Sequence, residues 1–133
     1  MNGLLNLAMP SLEHDMLIDV AKQFSPYPSG RNADDGTFNG EAFRDEHLAK
    51  ALDEVSKLDV ADQELLVDID GVRSFGSSFL EEAFGGLIRK TNHDPNWAAA
   101  ILKIKCTQAH LKMYHDSIDD YIRDALNDRL ATN

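Results

Sequence analysis

The chain has a single cysteine, Cys106, among its 133 residues, so it can close no disulfide of its own. That scarcity points to a reducing, cytoplasmic setting. No apolar run comes near the roughly 18 residues a membrane-crossing helix needs. The start, "MNGLLNLAMPSLEH", has no lysine or arginine ahead of its apolar stretch, as a secretory signal would. Basic charge is in short supply as well: 13 Lys and Arg stand against 23 Asp and Glu, for a net charge of −10. With no local basic patch, such a balance repels nucleic acid and anionic membranes, and leaves a solvated acidic surface compatible with a basic partner. Metal-ligand spacing is missing too. The closest histidines, His110 and His115, are five apart and would leave a helix on different faces, and Cys106, four before His110, should finish a strand. In "NADDGTFNGEAF", setting Gly36 at the sixth position of a calcium loop puts Arg31 at the first, where an oxygen ligand is required. Asp34 and Asp35 therefore read as turn residues. No metal and no cofactor is expected.

What is present is enough for one α/β domain: 43% of residues are hydrophobic, in a chain of ordinary domain length. Residues 1–15 read as an N-terminal arm or an extra edge strand, and residues 16–133 as the domain. "MLIDVA" (Met16 to Ala21) is a first strand, followed by a long turn-rich loop, "SPYPSGRNADDGTFNG". From Glu41, the residues Phe43, His47, Leu48, Ala51, Leu52, Val55 and Leu58 recur at helical spacing, with Asn39 as N-cap. "ELLVDIDG" is a buried second strand, and Phe79, Leu80, Ala83, Phe84, Leu87 and Ile88 give the next helix its apolar face. Gly85 and Gly86 inside that helix should cost about 1 kcal/mol each, which implies either close packing or an early helix end. After a turn containing Pro95, "WAAAILKIKC" reads as a third strand; Lys103 and Lys105 on one face suggest an edge position or a partly solvated face. A C-terminal helix carries the stripe Leu111, Tyr114, Ile118, Tyr121, Ile122, Ala125 and Leu126. The order β-α-β-α-β-α implies a small, mainly parallel sheet.

In such sheets functional loops gather beyond the carboxyl ends of strands. Asp68, Asp70, Gly76, Ser77 and Ser78 lie at or just past the end of the second strand. The serines admit two readings. Ser78 with Glu81 fits a capping box, and Ser77 could cap the helix as well. Equally, a serine at a helix N-terminus meets free backbone N–H groups and the positive end of the helix dipole, a setting suited to a phosphorylated serine or a bound anion.

The run "LVDIDGVRSFGSSFLEEAFGGLI" resembles the central motif of STAS domains, the fold of bacterial anti-sigma factor antagonists. With "YPSGR", "NGEAFRDEHL" and "SSFLEEAFGGL" in the same order, the chain resembles more closely a STAS-like family of unknown function found in small bacterial proteins, over roughly Met16 to Cys106. The resemblance implies a non-enzymatic regulatory module acting by partner switching, in which an ATPase-fold serine kinase phosphorylates the turn serine and a downstream regulator reads the result. It places Ser78 at the phosphorylated position, Ser77 just before it and Leu80 at the motif leucine. Two letters depart from the antagonist motif: Gly76 stands for its aspartate and Phe79 for its glycine. Arg31 and Arg44 match the STAS-like pattern. As forked donors they suit a phosphate or carboxylate, so Asp70, Gly76, Phe79, Arg31 and Arg44 are partner- or anion-binding candidates. Arg31 either folds over the Ser78 turn toward an anion or Asp70, or pairs on the surface with Asp34 or Asp35. A serine hydrolase is the alternative from another class, but "GSSFL" lacks the second glycine of a nucleophile elbow, and no His–acid pair is placed to activate it.

Overall fold

The computed structural model describes residues 16–131; the expected arm or extra strand at residues 1–15 lies outside them. The domain is α/β, built on three parallel strands in the order β1-β2-β3: β1 (Leu17–Asp19), β2 (Leu65–Asp68) and β3 (Leu102–Lys105). Between β1 and β2 come α1 (Val20–Gln23) and α2 (residues 40–55); between β2 and β3 come α3 (residues 77–90) and α4 (Pro95–Ile101). The long α5 (Lys112–Ala131) follows.

Register explains the sheet's two faces. Ile18, Val67 and Ile104 share one row, and Leu65 pairs with Leu102; these face the core. The opposite face carries the rows Leu17, Leu66, Lys103 and Asp19, Asp68, Lys105, where Leu17, Lys103 and Lys105 are exposed. Parallel crossovers are right-handed. A sheet whose strands advance in chain order therefore puts both connecting helices on one side. That side holds the core, into which α2 sends Phe43, Leu48, Leu52 and Val55, α3 sends Phe79, Leu80, Phe84 and Ile88, and α5 sends Ile118 and Ala125. Asn39 caps α2 as expected, accepting from the Ala42 amide at 2.8 Å.

Two expected strands are partly helical. The first ends at Asp19, whose carboxylate accepts from the Lys22 amide at 3.1 Å and opens α1, so Val20 is buried from a helix. Only the second half of "WAAAILKIKC" is strand. Asp94 accepts from the Asn96 amide at 2.9 Å and Pro95 takes the first helical position. Cap, proline and three alanines are a strong helix start, and alternation begins only at Leu102. Trp97 anchors α4 by donating its indole N–H to Gln63 at 2.9 Å.

Gly85 and Gly86 do not end α3, which runs on to Lys90 through a π-helical turn at Glu81–Gly85. Each glycine leaves room for an ion pair. A Cβ on Gly85 would stand 2.7 Å from Glu81 Oε2 and 3.2 Å from Arg89 Nη1; one on Gly86 would stand 3.0 Å from Arg44 Nη1 and 3.2 Å from Glu82 Oε2. Close packing is the reason for both.

Candidate functional site

The carboxyl ends of β2 and β3 are tied together by acids. The Asp70 carboxylate accepts from the Thr107 amide at 2.8 Å, the Thr107 hydroxyl at 2.7 Å and the Gln108 amide at 3.1 Å. Partial burial works against its charge, yet these three donors outweigh burial and hold Asp70 below its ordinary range. Lys105 pairs with Asp68 at 3.3 Å, and Asp68 in turn accepts the Asp70 amide at 2.9 Å. Asp70 is thus occupied in joining two loops, and Arg31 does not reach it.

Beyond Asp70 the chain runs beside the long loop, backbone to backbone. Arg73 donates its amide to Pro26 O at 2.8 Å and Gly76 to Pro28 O at 3.0 Å. The same loop is fastened to the start of α2, where Gly40 donates to Gly30 O at 2.9 Å and Glu41 to Arg31 O at 2.8 Å. A Cβ on Gly76 would stand 2.8 Å from Ser29 Oγ, so the absent side chain at this position is what lets the loop close in. Gly76 is extended and is itself the N-cap of α3, with no side-chain capping bond.

The serines are therefore not caps. Ser77 and Ser78 are the first two helical residues. Ser77 is exposed and Ser78 half-buried, and neither hydroxyl has a protein partner among the described residues. Glu81, expected to reach back to Ser78, is drawn away by two arginines: Arg89, at 3.2 Å from Nη2 and closer from Nη1, and Arg31, at 2.7 Å. Arg89 most of all, then Arg31, outweigh partial burial and hold the Glu81 carboxyl below its ordinary range.

Arg31 also reaches Glu82 at 3.2 Å. Its guanidinium is held by two carboxylates that follow the serines by about one helical turn, and it pairs with neither Asp34 nor Asp35. Asp35 instead accepts the Arg31 backbone amide at 2.9 Å, within the loop's own turn. Arg44 is 4% exposed, pressed between α2 and α3, where it binds Glu82 closely and Asp45 at 2.9 Å. Burial disfavours its charge, but Asp45 and Glu82 more than restore it and raise its pKa. Arg44 therefore holds two helices together and is closed to an outside anion. Phe79, at 0% exposure, lies in an aromatic cluster with Phe43 at 5.7 Å, Phe75 at 5.8 Å and Phe24 at 6.0 Å between ring centroids. It is a core residue and no partner can touch it.

Of the seven expected site residues, Ser77, Ser78, Gly76 and Arg31 come together at the surface, Phe79 and Arg44 are buried, and Asp70 ties the β2 and β3 loops together. Glu81 was expected only as a capping partner of Ser78, and Glu82, Ser29 and Arg89 were not singled out in the sequence. The consecutive acids one turn after consecutive serines were the available signal.

A small one-sided parallel sheet, with a serine-bearing helix start beyond its middle strand, defines a compact α/β module. Residues 39–109 match the family model described as a STAS-like domain of unknown function (DUF4325), and the chain belongs to that family. No curated protein and no solved structure matches the chain. Among the described residues no helix is long and apolar enough to cross a membrane.

Proposed function

We propose that this protein is a non-enzymatic regulatory module of the cytoplasm, which binds a protein partner through the Ser77–Ser78 turn, the start of α3 and the loop around Arg31. The observation that carries this reading is the pair of serine hydroxyls without capping bonds at an exposed helix start, in a family of STAS-like domains. A serine that caps nothing is not needed there for folding.

The neighbouring charges supply a switch. An ATPase-fold serine kinase transfers the γ-phosphoryl group of ATP to a serine hydroxyl, releasing ADP and a proton. The phosphoserine gains about −1.5 to −2 charge, favoured by the helix dipole but set one turn from Glu81 and Glu82. Arg31, held by those two carboxylates, is a nearby exposed cation that can turn to the phosphate. Modification thus pulls Arg31 off Glu81 and Glu82 and reshapes the surface a partner meets. Ser78 is the position assigned by family likeness; Ser77 is the more open of the two.

The test is partner capture by the full chain from bacterial extract supplied with ATP, with intact mass and phosphosite mapping of the bait. The expected result is one added phosphate that disappears in Ser77→Ala or Ser78→Ala, and a partner whose retention changes in Ser77→Asp and Arg31→Ala. Arg31→Ala removes only part-exposed ion pairs, so folding should change by about 0–1 kcal/mol. A partner held equally by all these variants rules the turn out as its binding surface.

A further inference from the structure

The free edge of β3 has a definite chemistry. In a parallel ladder, one residue directs both its backbone groups to the neighbouring strand and the next directs them away. The Lys105 carbonyl accepts from the Ile69 amide at 3.0 Å, so Lys105, and by alternation Lys103, turn their backbones toward β2. The amide and carbonyl of Ile104 consequently point out at the edge, where no further strand lies among the described residues. Beside that edge, between β3 and α5, runs a groove of about 560 Å³ whose lining includes Ala99, Leu102, Ile104, Ile122 and Leu126, with Lys103 at its border. Its α5 rim carries charges of both signs: Arg123 binds Asp120, and His115 faces Asp119 at 3.7 Å and Asp116 at 3.3 Å. On the other face of the strand, Lys105 is engaged by Asp68, while Lys103 is exposed and has no carboxylate partner among the described residues.

This pattern argues against a second copy. An antiparallel two-fold pairing preserves the faces of the sheet, so a register centred on Lys103 sets Lys103 against itself, and one centred on Ile104 sets it against Lys105. Like charges directly opposite each other are destabilising, and edge lysines are a common guard against self-pairing. An acidic strand meets the same lysines favourably.

We propose that the β3 edge takes up an extended segment of a partner protein by strand addition. The segment alternates apolar side chains, which enter the groove against α5, with acidic side chains, which lie over Lys103 and Lys105. This surface shares no residue with the serine turn and does not depend on the reading given for it.

The test is an NMR titration of the full chain with a capped seven-residue peptide alternating glutamate and valine. Its lysine–valine counterpart is the control. The expected result is saturable binding of the acidic peptide, with a shifted and exchange-protected Ile104 amide. Lys103→Glu should weaken that binding about three- to tenfold and turn the preference toward the lysine peptide. The proposal is overturned by the absence of saturable binding, by a Lys103→Glu chain that keeps its preference, or by sedimentation showing a dimer that protects the Ile104 amide without peptide.

Discussion

Replacing Gly86 by alanine sets two effects against each other. Alanine in a helix interior is favoured over glycine by about 1 kcal/mol. Against this, the new methyl stands 3.0 Å from Nη1 and 3.4 Å from Cδ of Arg44. That side chain is buried and held by Asp45 and Glu82, so it cannot swing into solvent. Overpacking of this kind costs about 1–3 kcal/mol, and outright rupture of a buried ion pair about 3–5 kcal/mol. A strained but intact pair puts the penalty at about 2–3 kcal/mol, and the net loss at about 1–2 kcal/mol, from these two terms. Gly85→Ala makes the contrast. Its methyl meets the ends of Glu81 and Arg89, both partly exposed and free to move aside, and a surface pair contributes about 0–1 kcal/mol. Its net effect should lie near zero or slightly on the stabilising side. Urea unfolding followed by far-ultraviolet circular dichroism measures both. In an Arg44→Leu background the penalty at Gly86 should largely vanish, giving a coupling of about 2–3 kcal/mol. Equal shifts for the two alanines, or a stabilising Gly86→Ala, would refute the assignment of one ion pair to each glycine.

Phe79→Ala should destabilise by about 3–5 kcal/mol with an unchanged urea slope, and Phe79→Leu by much less; a loss below about 1 kcal/mol for the alanine would mean that the ring is not in the core. Asp70 has its pKa depressed in the folded chain, so the unfolded chain binds more protons in the acid range. The stability Asp70 contributes is complete above its unfolded pKa and is lost as pH falls through the folded one. Asp70→Asn should therefore flatten the acid limb of a plot of urea midpoint against pH, and an unchanged limb contradicts the three donors placed around that carboxylate.

Much of the framework was legible in the sequence because it rests on period and punctuation. The apolar spacing of α2 and α3, the Asn39 cap and the alternation of strand with helix all follow from near neighbours in the chain. Errors arose where local signals were shared by two structures. Three alanines before "ILKIK" fit either helix or strand, and Asp94 with Pro95 decides for helix. Ser78 and Glu81 match a capping box by spacing, but Gly76 enters the helix from its backbone bond to Pro28, and Glu81 is taken by Arg31 and Arg89. These partners are set by the fold rather than by spacing: Arg31 is 50 residues from Glu81, and Arg44 is 38 from Glu82. No local pattern announces such pairs, although two glycines kept in a helix were a trace of the room they need.

The loop from Pro26 to Arg31 is held mainly by main-chain bonds, through Pro26 O, Pro28 O, the Ser29 amide, Gly30 O and Arg31 O, with Ser25 and Asp35 side chains accepting the Tyr27 and Arg31 amides. Main-chain bonds survive most changes of side chain. Tyr27, 60% exposed, and Arg31 stand on this frame with the helix start beside them, so their side chains can be exchanged while these main-chain bonds stay in place. On the proposed reading, a chain with this architecture can acquire new specificity at those two positions while its scaffold stays the same.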